Sequence, residues 1–185
     1  VCAVRPIRRV HVYSRDAAKR AAFAAEMSAA CDTEVVPVET PEEASRLMDV
    51  VCTATTSRDP VLKGDWLADG CHVNLVGSNF LAKSEADVGV FRRAALVTAD
   101  SVEQARHEAG DFVAPIREGA LTWSAVRELA HVLIGRYPGR QSPAEVTVFK
   151  SLGLGLEDIA VAVRVQELGR SQGVGRGLAL GERAV

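Results

Sequence analysis

The chain is short of almost everything that marks a membrane, secreted or nucleic-acid-binding protein. No apolar run approaches the roughly 20 residues of a membrane span, and the opening Val-Cys-Ala-Val-Arg-Pro-Ile lacks the length and flanks of a signal peptide. Charge of one sign is missing too. The 22 basic and 24 acidic residues leave a formal net charge of −2, with no basic block, so neither nucleic acid nor an anionic membrane is expected as a partner. Cysteine is sparse: Cys2, Cys31, Cys52 and Cys71 show no C-x-x-C spacing and no His/Cys cluster, which argues against a metal site. Cys52 and Cys71 fall in apolar strand candidates and are expected as buried, reduced thiols, in keeping with a cytoplasmic location. Aromatics make up only 5% of the chain. Yet 48% of its 185 residues are hydrophobic, enough for a sizeable core in one domain, or one domain plus part of another.

What is present is an alternation of strand and helix signals. Arg9 to Tyr13 reads as a strand, Asp16 to Ala30 as an Ala-rich helix capped by Asp16, and Thr33 to Val38 as a second strand. Thr40-Pro41-Glu42-Glu43 has the form of a capping box with proline at the first helical position. Asp49 to Thr55 is β-branched and apolar, as expected of a strand buried on both faces, and Cys71 to Val76 repeats the pattern. Ser84 to Arg93 is expected to be helical, Ala94 to Thr98 a strand, and Trp123 to Ile134 the clearest helix of a helix-rich stretch. Glu145 to Phe149 is the last strand. Gly153 to Leu168 has helical spacing, and a glycine-rich tail follows. The order predicts an α/β fold with a doubly wound, mainly parallel sheet.

One further absence concerns the front of this fold. Tyr13-Ser14-Arg15-Asp16 ends its strand as the second strand of a dinucleotide-binding unit would, where an acid usually holds the ribose hydroxyls. A first strand and a G-x-G-x-x-G turn are expected roughly 20 to 30 residues upstream, and the sequence has neither. The late Gly173-Val174-Gly175-Arg176-Gly177 follows a helix, not a strand, and does not substitute. The expected fold is therefore Rossmann-like without its first strand and Gly-rich loop. Strands Arg9 to Tyr13 and Asp49 to Thr55 are then either left with unpaired edges or closed directly on one another.

Three stretches, in order, carry a resemblance: Val51-Cys52-Thr53-Ala54-Thr55-Thr56-Ser57, His72-Val73-Asn74-Leu75-Val76-Gly77-Ser78, and Phe149-Lys150-Ser151-Leu152-Gly153-Leu154-Gly155-Leu156-Glu157-Asp158. Together they resemble the ornithine cyclodeaminase/mu-crystallin family, from Arg5 to about Gly169. The resemblance implies an NAD(P)-dependent homodimer with a nucleotide-binding domain and a separate dimerisation domain. Residues 1–150 are then an incomplete NAD(P)-binding domain. Residues 151–185 are a helix and tail returning to a dimerisation and substrate domain not contained here, and the chain alone is expected to be inactive and to bind nucleotide poorly.

By the same resemblance, Thr53, the Val73, Asn74, Leu75 and Val76 segment, and Ser151 lie against the cofactor, while Lys83 pairs with phosphate or orients a ribose. Capping roles for Thr53 and Ser151, and a solvated surface for Lys83, are the alternatives. Asn79 stands where deaminating members carry an aspartate. An amide has no usable pKa near neutrality, so Asn79 can hydrogen-bond an amine or imine but cannot transfer a proton. That argues against ornithine cyclisation and for hydride transfer to or from a small α-imino or α-amino acid, with Asn79 and Lys83 as the catalytic candidates. Ser14 and Arg15 replace the ribose-binding acid and suit a 2′-phosphate, so NADP is expected over NAD. The alternatives are a non-catalytic mu-crystallin-like binding protein and an inactive remnant.

Overall fold

A computed structural model of the chain describes residues 1–177. It divides into one compact unit over Val1–Leu152 and a second from Gly153 onward. The first unit opens with strand β1 (Arg9–Val12), helix α1 (Ala17–Cys31) and strand β2 (Glu34–Pro37). Asp16 starts α1 by accepting the Lys19 amide at 3.0 Å. Asp32, in the left-handed region at φ 47°, ends it. Helix α2 (Pro41–Ser45) begins as its sequence foretold, with Thr40 Oγ1 accepting the Glu43 amide at 3.1 Å and Pro41 in the first turn.

Strands β3 (Val50–Thr53) and β4 (His72–Leu75) follow, then α3 (Val88–Arg93), β5 (Ala94–Ala99), α4 (Val102–Glu108), α5 (Gly110–Arg117), β6 (Val126–Glu128), α6 (Leu129–Leu133) and β7 (Val146–Lys150). Five of the strands form one sheet in the order β3-β4-β7-β5-β6, and every pairing in it is parallel. Strands β1 and β2 form a separate parallel pair. Among the described residues β1 and β3 do not pair, so the two edges stay open rather than closing on each other. The chain is thus α/β with a mainly parallel, doubly wound arrangement, interrupted between these two strands.

The core lies on one face of the five-stranded sheet. Val51, Val73, Leu75, Val97, Ala99 and Val148 meet Val90 and Phe91 of α3, Ala105 of α4 and Phe112 of α5 there. Phe112 is fully buried and makes edge-on contacts with Phe91 and Trp123, at ring separations of 5.7 and 5.9 Å. Burying such a side chain contributes about 1.5–3 kcal/mol.

Four expectations fail, each for a physical reason. Asp49 to Thr55 is not buried on both faces: Val51 and Thr53 are covered while Cys52 is exposed, because alternation sends it to the face opposite α3–α5. The helix expected from Ser84 begins only at Val88. Residues 84–86 are not helical, Ala86 bridging to Leu62 and the Glu85 and Ala86 amides bound by the Asp111 carboxylate. The helix expected from Trp123 to Ile134 is instead the short strand β6 followed by α6, since Val126 pairs with Val97 at the sheet edge and is buried. Ser151 caps nothing: helix α7 (Gly155–Ser171), in the second unit, starts after Leu154 and has no side-chain cap bond.

Candidate functional site

Parallel strands point their carboxyl ends the same way, and the loops leaving those ends form the natural ligand edge of an α/β sheet. Here Thr53, Leu75, Lys150 and Ala99 end β3, β4, β7 and β5 side by side. The loops beyond them are held from beneath by charged side chains that the sequence reading passed over.

Glu85 is the centre of this arrangement and is fully buried. Its Oε2 accepts the Thr53 hydroxyl at 2.8 Å and the Gly77 amide at 2.7 Å, while Oε1 accepts the Thr55 amide at 2.5 Å. One carboxylate therefore locks the loop after β3 to the turn after β4. Gly77 is required by crowding: a Cβ there would lie 2.2 Å from the Thr55 carbonyl oxygen and 2.3 Å from its nitrogen.

Asp111, in the first turn of α5, carries the next layer. Its Oδ1 accepts the Glu85 amide at 2.6 Å and the Ala86 amide at 3.2 Å, with the Ser84 hydroxyl also at 3.2 Å. Its Oδ2 faces Lys150 Nζ at 3.2 Å as an ion pair without hydrogen-bond alignment, and both side chains are fully withdrawn from solvent. Lys150 also donates to the Leu75 carbonyl at 3.2 Å. Asp100, after β5, accepts the Leu152 amide at 2.6 Å and the Ser151 hydroxyl at 3.4 Å. Three carboxylates and one lysine thus fix four strand ends.

On this base the segment Ser78 to Lys83 forms a compact turn. Ser78 Oγ donates to the Lys83 carbonyl at 2.7 Å, and the Lys83 amide donates to the Phe80 carbonyl at 3.0 Å. Gly110 lies so close beneath that a Cβ would fall 1.9 Å from the Lys83 carbonyl oxygen. Asn79, Phe80 and Leu81 are exposed at the rim. Together with Ala82, His107 and Glu108 they line an open depression of about 490 Å³. Lys83 Nζ sits 5.0 Å over the Phe80 ring, a cation–π contact.

The expected site residues are thereby sorted. Thr53, Val76, Asn79, Lys83 and Ser151 belong to the carboxyl edge of the five-stranded sheet. Val73 and Leu75 are fully buried in β4, whose backbone is shared between the ladders to β3 and β7, and only Val76 projects beyond the strand. Asn74 turns to the opposite face and donates to Cys52 Sγ at 3.5 Å. Ser14 and Arg15 stand apart, after β1 in the two-stranded sheet. Ser14 Oγ donates to the Asp16 carbonyl at 3.1 Å, and Asp16 is committed to capping α1. Arg15 is exposed and makes no hydrogen bond or ion pair with the described residues.

Glu85, Asp111 and Lys150 escaped the sequence reading because a charge inside an apolar fold leaves no periodic trace. The faint signal was Lys150 itself, a lysine closing the apolar strand Val146-Thr147-Val148-Phe149.

Comparison with known proteins agrees with this architecture. The model of the ornithine cyclodeaminase/mu-crystallin family matches residues 1–173. The alanine dehydrogenase of Archaeoglobus fulgidus is 39% identical over 139 residues, 75% of this chain and 42% of its own length. The Delta(1)-pyrroline-2-carboxylate reductase of Bacillus cereus is 36% identical over 176 residues, covering 95% of this chain and 54% of that protein. Among solved structures, the Thermococcus litoralis Delta(1)-pyrroline-2-carboxylate reductase in complex with NADH and L-proline superposes with a TM-score of 0.87 at 34% identity, over 96% of this chain and 55% of that one. The chain spans about half the length of these relatives.

Proposed function

The chain belongs to the ornithine cyclodeaminase/mu-crystallin family, and we propose that it provides the nucleotide-binding half of an NAD(P)-dependent oxidoreductase acting on a small α-imino or α-amino acid. The observation that carries this reading is the Val76–Asn79 turn, which exposes Val76 and Asn79 beyond the inner strand β4 and is held by Glu85 through Thr53, Thr55 and Gly77. A rigid edge of this kind suits a reaction in which two carbon centres must be held within van der Waals reach.

The residues present fit a pyridine nucleotide. At the β1 end, the exposed Arg15 is unpartnered among the described residues. At the β4 end, Val76 and Asn79 are exposed on the turn that Gly77 lets pack against Thr55. A bound nicotinamide supplies or takes the hydride. Thr53, Val76 and Ser151 would line its side of the edge, with Lys83 near the ribose or phosphate. Asn79 would orient substrate nitrogen through its amide, and since the amide carries no titratable proton, the proton accompanying the hydride must come from elsewhere.

The relative solved with a nucleotide holds NADH. In this chain the guanidinium of Arg15, with Asp16 withdrawn into the α1 cap, supports NADP. A second copy of the chain is the expected protein partner, as the family implies.

The test is a chimera in which this chain replaces the matching segment of the Bacillus cereus reductase. Oxidation of NADPH with 1-pyrroline-2-carboxylate, or with pyruvate and ammonia, is the expected result. Asn79→Ala should lower kcat at least tenfold, on the order of one lost charge-free hydrogen bond in the transition state. A folded chimera that binds cofactor and turns over neither substrate would overturn the proposal and favour a binding role.

A further inference from the structure

The loop after β1 is set by an arginine that no motif accounts for. Arg20, in the first turn of α1, is buried to 4% exposure. Its Nη1 donates to the Ser14 carbonyl at 2.7 Å, and its Nη2 meets Glu39 Oε1 at 2.7 Å. The guanidinium also stands 5.7 Å from the centre of the Tyr13 ring. Glu39 lies two residues beyond the end of β2, and its side chain is 79% exposed, so the pair joins the segments that follow β1 and β2, the first of which carries Arg15. The Nε is buried without an acceptor. A buried donor left unsatisfied is unfavourable, so the surroundings hold this guanidinium in place against its own hydrogen-bonding preference.

The charges facing this edge are few. Asp16 is tied to the Lys19 amide and lies 4.0 Å from Lys19 Nζ. Glu43 accepts the Glu39 amide at 3.0 Å as part of the α2 cap. The acid left to face a nucleotide is Glu39, and Arg20 is what neutralises it. A free carboxylate here would accept a ribose 2′-hydroxyl and repel a 2′-phosphate.

We propose that Arg20 is a specificity-positioning residue: by pairing with Glu39 and holding the Ser14 carbonyl, it lets the Ser14–Arg15 loop receive an adenosine 2′-phosphate. The proposal rests on the NADP reading above. Arg20 is not placed in contact with the nucleotide. It acts through Glu39 and through the backbone that carries Arg15.

The test uses the 185-residue chain with two probes that do not require a pyrophosphate cradle, adenosine 2′,5′-bisphosphate and 5′-AMP, titrated calorimetrically. The unaltered chain should prefer the bisphosphate. Arg20→Met should weaken bisphosphate binding by about tenfold and leave 5′-AMP within about twofold, the signature of an exposed like charge. Adding Glu39→Gln to Arg20→Met should restore the preference. Glu39→Gln alone, a change at an exposed side chain, should tighten the bisphosphate by about threefold. Equal weakening of both probes by Arg20→Met, with no rescue by Glu39→Gln, would mean a merely structural arginine and overturn the proposal. Equal binding of the two probes by the unaltered chain would instead overturn the NADP reading beneath it.

Discussion

Lys150 and Asp111 face each other at 3.2 Å with neither side chain exposed to solvent. The pair links the end of β7 to the first turn of α5, and Asp111 in turn holds the backbone on both sides of Glu85. Removing one charge leaves the other buried and uncompensated, so Lys150→Met should cost about 3–5 kcal/mol in urea unfolding. The double variant Lys150→Met/Asp111→Asn should cost less than the two single changes added together. Additive losses would show that the two groups do not depend on each other.

Gly77 tests the layer above. Its missing Cβ is what lets the turn after β4 lie against Thr55, so Gly77→Ala must push the two loops apart or displace the Glu85 carboxylate. The expected cost is about 1–3 kcal/mol, as for overpacking elsewhere. Glu85→Gln, which keeps the shape but loses the charge, should also loosen the loop after β3, read as faster amide exchange at Thr55 and Gly77. Unchanged exchange at both amides would remove Glu85 from its central place.

How much of this was legible beforehand depends on scale. The strand–helix alternation gave the architecture, because β-branched strands such as Val50-Val51-Cys52-Thr53 and capped helices such as Thr40-Pro41-Glu42-Glu43 write their signals locally. Trp123 to Ile134 misled, because pairing of Val126, in the edge strand β6, with Val97 of β5 overrode a helical spacing. The turn at Val76–Asn79 was found from its Gly-Ser-Asn composition. Its support was not, since Glu85, Asp111 and Lys150 come together across sequence separations that no local pattern encodes.

Acid should weaken the fold through His72. Burial pushes its pKa below the ordinary 6.5, and the ring is bonded through Nδ1 to Thr147 Oγ1 at 2.7 Å. As pH drops below about 6.5 the unfolded chain takes up a proton at this site that the folded chain resists, so stability falls with falling pH. His72→Asn should flatten that part of the profile. A slope near pH 6 identical in both proteins would assign the loss to other groups.

The neighbouring cysteine gives the opposite limb. Cys71 is fully buried, and burial raises its thiol from 9.0 to about 11, while Cys31 and Cys52 are exposed. Only thiolates attack disulfide reagents quickly, so Cys31 and Cys52 should label within the mixing period at mild alkaline pH, with Cys71 waiting for unfolding. Between about pH 9 and 11 the unfolded chain releases the Cys71 proton while the folded chain keeps it, so stability declines as pH rises through that window. Cys71→Ala should remove this alkaline decline, though it also removes packing between β4 and the core. Labelling of Cys71 as fast as Cys52 in the folded protein would contradict the burial on which the shift depends.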